Sequence, residues 1–296
     1  MRWRAELLLV LVCFVWGATF ILVKDAVADI PILMFLALRF TMAAILLGAV
    51  MATRRNRPSW RASLRGGITV GTLLFLGYVL QTFGLRYTSA AKSAFITSLY
   101  VPLVPGLSAI IYRKIPRVSE IVGVTLAIAG LALLTVPSEV SRISSGDLLI
   151  ACCAVAFALH IILLGRYAQE TDVGWLATIQ IAFAAVLGGA TFWWAEPLHV
   201  RWTSTVWIAL AITSVFATAL GFLAQTWAQS QTSATRAALI YSLEPVFAWL
   251  TSYVFAGELL TARALAGAAL VLSGILAVEL KPFRRTEHQP LSGNLP

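Results

Sequence analysis

The sequence has 296 residues, of which 59% are hydrophobic and only 12% are charged. Soluble domains carry roughly 25% charged residues, so a water-facing surface cannot account for most of this chain. The net charge of +9 does not indicate nucleic-acid binding, because the basic residues form short clusters between apolar runs, as they do beside lipid headgroups. The composition therefore predicts an integral membrane protein without a soluble domain, in contact with lipid and not with nucleic acid.

Ten apolar runs follow one another along the chain, each long enough to cross a ~30 Å hydrocarbon core as a helix. The first follows Arg2 and Arg4 and is too long for the apolar part of a signal peptide, so we interpret it as a membrane helix. Strands are excluded because the runs are continuous and do not alternate. The predicted spans are 5–23, 31–52, 66–84, 92–111, 119–136, 147–165, 174–195, 204–228, 234–256 and 263–280.

Lysine and arginine residues are concentrated on one side of these spans. With the N-terminus inside, the cytoplasmic loops contain the clusters around Arg54, Arg65, Arg113 and Lys281, whereas the opposite side contains isolated residues such as Arg201. The positive-inside rule therefore predicts that both termini are cytoplasmic, in agreement with an even number of spans.

The second half of the chain repeats the first. The strong matches lie 144 residues apart, and weaker matches in the earlier spans lie about 141 residues apart. The strong matches pair Gly77-Tyr-Val-Leu-Gln81-Thr82 with Gly221-Phe-Leu-Ala-Gln225-Thr226 and Ser98-Leu99 with Ser242-Leu243, and the weaker ones pair Trp16 with Phe157, Thr19 with His160 and Arg39 with Gln180.

Each half contains five spans, so the two halves must insert in opposite directions. We therefore predict an all-α membrane protein of ten transmembrane helices, built as two inverted five-helix repeats over residues 1–140 and 141–281, with a disordered cytoplasmic tail at 282–296. Inverted repeats are typical of secondary transporters, which bind substrate near the membrane midplane between the repeats. A channel remains the alternative, because gene duplication also builds some channels.

Ionisable side chains inside a bilayer cost at least ~2.5 kcal/mol at a helix centre, so those present need a reason. Glu244 lies near the middle of the ninth span, and Pro245 removes a backbone donor beside it. Its carboxylate is suited to bind a substrate ammonium or a coupling proton, or to accept a structural hydrogen bond. Arg39 is suited to bind a carboxylate or to pair with Glu244, or to extend to the outer interface.

Polar and aromatic side chains in the spans are further candidates. An unperturbed histidine has a pKa of about 6.5, so His160 would suit a proton relay, although a lone histidine is commonly a packing residue. Amides can bind a zwitterion without a charge penalty or can join helices. The amide candidates are Gln81, Gln225 and Gln180, and the aromatic residues suited to an apolar cavity wall are Trp16, Tyr78, Tyr100 and Tyr241.

Lys92 and Arg236 lie at matching helix starts, where a cation opposes the helix dipole, so each needs a lipid phosphate, a carboxylate or substrate as a partner. The three cysteines, Cys13, Cys152 and Cys153, lie in apolar runs without ligand spacing. The sequence contains no phosphate-binding glycine loop and no recognisable catalytic constellation. We therefore expect neither an enzyme, nor a cofactor, nor a metal site.

Several motifs resemble one family over nearly the whole chain. They are Tyr87-Thr-Ser-Ala-Ala-Lys-Ser-Ala-Phe-Ile-Thr-Ser-Leu-Tyr-Val-Pro102, Leu243-Glu-Pro245, Gly257-Glu258, and Gly267 with Gly274. Together with the two halves, they are similar to EamA-type members of the drug/metabolite transporter superfamily. The resemblance implies an exporter with a cavity lined by spans 1–4 and 6–9, and spans 5 and 10 outside it. Small residues in those two spans then serve internal packing or a dimer face.

These observations predict a secondary active transporter in the bacterial inner membrane. We expect it to export small metabolites, most readily amino acids or related amphipathic compounds, by alternating access as a monomer or homodimer, with proton coupling or exchange. The alternatives are a transporter of nucleotide sugars or lipid head groups in the same fold, a passive channel, and a membrane enzyme. Anionic cargoes would need several cavity cations, and an enzyme would need a catalytic constellation.

Overall fold

The computed structural model describes residues 2–54, 60–84, 87, 90–113, 115–135, 144–197, 199–256 and 261–279, and these residues form helices and turns without strands. The helices are α1 (Arg2–Ala26), α2 (Ile32–Ala52), α3 (Trp60–Gly84), α4 (Ala90–Thr97), α5 (Tyr100–Tyr112), α6 (Val118–Thr135), α7 (Ser145–Glu170), α8 (Val173–Ala195), α9 (Ser204–Ile212), α10 (Gly221–Gln231), α11 (Ala234–Tyr241), α12 (Glu244–Ala256) and α13 (Ala262–Glu279). A π-helical segment, Thr213–Leu220, joins α9 to α10.

Eight helical stretches in the described residues are long and apolar enough to cross a membrane. They are α1, α2, α3, α4 with α5, α6, α7, α8, and α9 through α10. Helices α11 and α12 are individually short, with 8 and 13 residues, and α13 contributes a shorter apolar stretch at Ala262–Val278. The predicted Gly257-Glu258 motif and the tail at 282–296 lie outside the described residues.

Short polar residues begin the helices of the second half. Ser144 and Asp147 form a reciprocal capping box at the start of α7, with Ser144 N–H donating to Asp147 Oδ2 at 2.7 Å. The Asp172 carboxylate accepts from the Trp175 backbone N–H at 2.8 Å at the start of α8. These caps satisfy backbone donors that have no partner within the helix. The connections between spans can therefore be short.

Two predicted spans are not continuous helices. The run predicted at 92–111 breaks at Ser98-Leu99, and the run predicted at 234–256 breaks at the matching Ser242-Leu243. Pro102 and Pro245 lie in the first turns of α5 and α12, where a missing N–H is tolerated, but neither can donate to the carbonyl one turn back. The serine hydroxyls satisfy nearby carbonyls, Ala94 O at 2.8 Å and Leu239 O at 2.5 Å. Proline and serine together therefore explain both breaks.

The helices pack into two groups, and helices from both halves of the chain contribute to each group. Helices α1 and α2 pack on the π-helical segment and α9, and α1 packs also on α10, α11 and α12. Helices α7 and α8 pack on α3, and α7 also on α4 and α5. We call these groups bundle one (α1, α2 and α9–α12) and bundle two (α3–α5, α7 and α8). Helices α2 and α8 form an extensive contact between the bundles.

Helices α6 and α13 form the most extensive helix pair, and their small residues face each other. A Cβ built on Gly130 would lie 2.5 Å from Gly267 O, and one built on Gly274 would lie 2.5 Å from Gly123 O. The backbones approach this closely only because both partners are glycine. This small-residue stripe is therefore used within the chain, and these glycines are not free to form a dimer face.

Candidate functional site

A cavity of about 600 Å³ lies between the bundles. Along α1 it extends from Trp16, near the middle of the helix, to Lys24 and Ala28 at its end. On the other side of Trp16, residues Ala5, Leu9 and Cys13 of α1 are fully buried in the core. The cavity is therefore closed on the side of the N-terminus and reaches toward the opposite face.

Nine of the ten residues predicted from the sequence line this cavity, and Gln180 does not. The lining residues come from α1 to α5, from the turn after α1, and from α7 and α10 to α12, and none belongs to α6, α8 or α13. The predicted residues in the wall are Trp16, Arg39, Tyr78, Gln81, Tyr100, His160, Gln225, Tyr241 and Glu244. The wall also contains residues that were not predicted to line it, including Thr82, Thr97 and Phe222.

The guanidinium of Arg39 is held in place by two neighbours. Its Nε–H donates to Thr218 Oγ1 at 2.6 Å, and its carbon Cζ lies 5.3 Å from the centre of the Tyr78 ring. Arg39 is only 5% exposed, so it faces the cavity and does not extend to the membrane surface. No carboxylate pairs with it among the described residues. A guanidinium held in this way is suited to bidentate binding of a carboxylate.

Glu244 is the acidic residue of the cavity wall. It begins α12 directly after the break, where the helix N-terminus favours a negative charge. Gly17 of α1 lies against this point, because a Cβ built there would be 2.8 Å from Glu244 O. Within the described part of the chain, its carboxylate forms no ion pair or hydrogen bond, although the charge of Arg39 acts on it. The cavity therefore holds a cation and an anion that are not paired with each other in direct contact.

Two glutamines at matching positions of the repeat, Gln81 and Gln225, line the cavity beside the helix breaks. Gln81 donates through Nε2 to Thr97 Oγ1 at 3.2 Å. The residues 144 positions later are Gln225 and Tyr241. Gln225 Oε1 and Tyr241 Oη are buried and form no well-aligned hydrogen bond in the described structure, although the two side chains interact with each other. Since a buried polar atom without a partner is costly, this half of the cavity offers polar groups for a ligand to satisfy.

Aromatic rings form the apolar part of the wall. The Trp16 ring centre lies 5.5 Å from that of Phe222 and 5.7 Å from that of Tyr241. Trp16 Nε1–H donates to Ala217 O of the π-helical segment at 2.8 Å. Such π-helical turns are rare and occur frequently at functional sites. Here the segment holds both Trp16, through Ala217, and Arg39, through Thr218.

His160 and Gln180 belong to one buried hydrogen-bond chain. His160 Nε2 lies 3.0 Å from Gln180 Oε1, and Gln180 Nε2 donates to Thr226 Oγ1 at 3.1 Å. All three side chains are at most 1% exposed. Because the Gln180 oxygen accepts, His160 contributes its Nε2 proton to this bond. The chain therefore joins α7, α8 and α10, and Gln180 lies behind the cavity wall.

The sequence carried little signal for some of these contacts. Thr218 is one of many threonines in the spans, and nothing in its neighbours predicts that it positions Arg39. The place of Thr97 in the cavity wall could have been predicted. It lies 144 residues before Tyr241, which is the same spacing as that between Gln81 and Gln225. No group of three or more potential metal ligands occurs in the described residues.

Comparison with known proteins identifies related chains over almost the full length. A model of the EamA-like transporter family matches residues 3–136 and again residues 144–280. An uncharacterized transporter of Archaeoglobus fulgidus is 35% identical, over 95% of this chain and 87% of its own. A probable amino-acid metabolite efflux pump of Salmonella typhimurium is 25% identical, over 97% of this chain and 98% of its own. A solved crystal structure with 19% identity has a TM-score of 0.79 and covers 95% of this chain and 98% of its own, which shows a shared fold.

Proposed function

We propose that this chain, which belongs to the EamA-like transporter family, exports amino acids or related amphipathic zwitterions by alternating access. Membership of this family makes it a multi-pass membrane transporter and not an enzyme. The observation that carries this proposal is the opposite charge of Arg39 and Glu244 in one cavity with aromatic walls. Neither side chain is paired with another described charge in direct contact. A substrate carboxylate on Arg39 and a substrate ammonium on Glu244 would satisfy both.

The proposed topology has ten crossings with both termini in the cytoplasm of a bacterium and the spans in its inner membrane. The eight long apolar stretches supply eight crossings, α11 with α12 supplies the ninth, and α13 supplies the tenth. The matching breaks at Ser98-Leu99 and Ser242-Leu243 support two inverted repeats at 1–140 and 141–281. Interrupted helices at corresponding positions are a typical sign of a transporter binding site. With this orientation, the cavity faces outward.

We further propose that Glu244 couples transport to protons. The carboxylate binds either the substrate ammonium or a proton. It exchanges one for the other as the bundles move. The charge content of the wall argues against nucleotide sugars and lipid head groups as cargo. Among the described lining residues, Lys24 and Arg39 are the cations and Glu244 is an anion, whereas a diphosphate would favour several cations.

Counterflow in proteoliposomes tests this proposal. Purified protein is reconstituted in vesicles loaded with an unlabelled compound, and entry of the labelled compound is followed for leucine, other amino acids, and a nucleotide sugar. We expect saturable entry that internal amino acid accelerates, and no acceleration by the nucleotide sugar. Entry that does not saturate would identify a channel, and acceleration by the nucleotide sugar alone would overturn the proposed cargo.

A further inference from the structure

The end of the cavity on the N-terminal side is closed by packing between the two bundles. Helix α10 of bundle one packs against α7 and α8 of bundle two. The buried chain from His160 through Gln180 to Thr226 lies in this contact. Gln229 of α10 adds a bond, from its Nε2 to Ile161 O of α7 at 2.9 Å. Three helices are therefore joined by polar contacts on the closed side.

The matching helices on the other side are apart. In the repeat, α3 matches α10, and α1 and α2 match α7 and α8. Helix α3 makes at most marginal contact with α1 and α2 in the described structure. The residues that match His160, Gln180 and Thr226 are Thr19, Arg39 and Thr82, and all three line the open cavity. The same three-helix junction is thus closed in one half and open in the other.

We propose that these two residue triads are alternative latches, an inference that rests on the proposed alternating access. His160, Gln180 and Thr226 hold the cavity closed on the side of the N-terminus in the present form. In the opposite form, α10 separates from α7 and α8, and α3 closes on α1 and α2. This movement brings Arg39 together with Thr19 and Thr82. Packing inside each bundle is kept in this movement, and the extensive contact of α2 with α8 joins the two bundles in both forms.

Arg39 is the charged residue of the two triads, and its charge explains how substrate controls the closure of α3 on α1 and α2. Gln180 can be buried with neutral partners, whereas Arg39 carries a charge that is costly to enclose without a counter-charge. The hydroxyls of Thr19 and Thr82 supply none, and Glu244 of the same cavity forms no ion pair with Arg39. A substrate carboxylate on Arg39 supplies the counter-charge, so closure of α3 over the site is favoured when substrate is bound. The arginine at this position links cargo binding to the movement of the bundles.

Cross-linking measures the two forms directly. The variant Thr19→Cys/Thr82→Cys is made in a chain whose natural cysteines, Cys13, Cys152 and Cys153, are replaced by alanine. In proteoliposomes, a short bifunctional thiol reagent reports how often α1 and α3 approach each other. Adding Thr226→Val weakens the latch that is closed here, and interhelical bonds of this kind shift such an equilibrium by roughly threefold or more.

We expect Thr226→Val to raise the cross-linking rate about threefold. The matched control is Thr72→Val, because among the described residues the exposed Thr72 hydroxyl bonds only to Ile68 O of its own helix, at 2.8 Å. Equal rates in the two variants would overturn the proposal. If Thr226→Val does not fold, Gln180→Met provides the same weakening. Counterflow by the unmodified protein is measured in parallel, so that a failed latch and a failed cargo proposal give different results.

Discussion

Tyr100 and Glu244 occupy equivalent positions in the two halves of the transporter. Each is the first residue of the half-helix that follows a break, and each lines the cavity. They stand 144 residues apart, at the spacing of the repeat. Both helix N-termini favour a negative group, but only Glu244 supplies a carboxylate. The two halves therefore present different chemistry at the same structural point, and the charged one is where we place the substrate ammonium.

The change Glu244→Gln tests that placement. It keeps the size of the side chain but removes its charge, and a hydrogen bond to a charged group contributes about 1.5–3 kcal/mol. We expect the affinity for leucine in counterflow to fall roughly tenfold to 100-fold, and the pH dependence of transport to disappear because no proton can compete at this position. Tyr100→Phe is the matched control and should have a smaller effect. Unchanged flux with unchanged pH dependence would contradict the assignment.

The geometry around Arg39 predicts that its neighbour Thr218 acts as a positioning residue. In Thr218→Val the bond from Arg39 Nε is lost, while the charge remains in the cavity. Because the donor is a charged guanidinium, this hydrogen bond contributes about 1.5–3 kcal/mol, so we expect a rise in KM of at most roughly tenfold to 100-fold, smaller than the loss in Arg39→Gln. Thr191→Val is the control, because in the described part of the chain its hydroxyl bonds only within α8, to Leu187 O at 2.9 Å and Gly188 O at 3.2 Å. Equal KM values for the two threonine variants would argue against the positioning role.

The close packing of α6 on α13 predicts that replacing a glycine of this interface lowers stability more than replacing a glycine elsewhere. Gly130→Ala places a methyl group 2.5 Å from Gly267 O, so the helices must separate, at a cost of about 1–3 kcal/mol in the free energy of unfolding. Gly106→Ala is the matched control, because a Cβ there has nothing within 4 Å and alanine favours a helix. Thermal unfolding in detergent should show a lower Tm for Gly130→Ala only. A lower Tm for both, or for neither, would contradict this account of the interface.

The partner of Arg236 is a carboxylate of α1. Arg236 Nη1 lies 3.2 Å from Glu6 Oε1, and the two side chains are 6% and 15% exposed. Arg236→Ala removes a hydrogen bond between charged groups at a largely buried site, so it should reduce stability by about 1.5–3 kcal/mol. Arg166→Ala removes an exposed pair with Glu170, at 55% and 52% exposure, and should reduce stability much less. Similar losses in unfolding experiments on the two variants would show that burial of the first pair does not matter.

The helices and most of the cavity wall could be predicted from the sequence because hydropathy and the repeat act along the chain. Long apolar runs predict the helices, and the match between the halves drew attention to Gln81 and Gln225. The breaks at Ser98 and Ser242 were not predicted, although Pro102 and Pro245 carried the signal, because the surrounding runs are uniformly apolar.

What could not be predicted depends on contacts between distant segments. Gln180 is turned to His160 and Thr226 and not to the cavity, and its equivalent Arg39 is turned to Thr218. The sequence places both polar residues in the spans but does not specify which neighbours they meet. The pairing of Glu6 with Arg236 joins residues 230 positions apart, so only the folded arrangement of α1 and α11 reveals it.

The most direct test of the central claim compares binding of leucine, leucinamide and N-acetylleucine to the unmodified protein, Arg39→Gln and Glu244→Gln by isothermal titration calorimetry. Leucinamide lacks the carboxylate and N-acetylleucine lacks the ammonium. We predict that Arg39→Gln weakens binding of leucine and N-acetylleucine but not of leucinamide, and that Glu244→Gln weakens binding of leucine and leucinamide but not of N-acetylleucine. Equal weakening of all three ligands in either variant would contradict direct recognition of a zwitterion by Arg39 and Glu244.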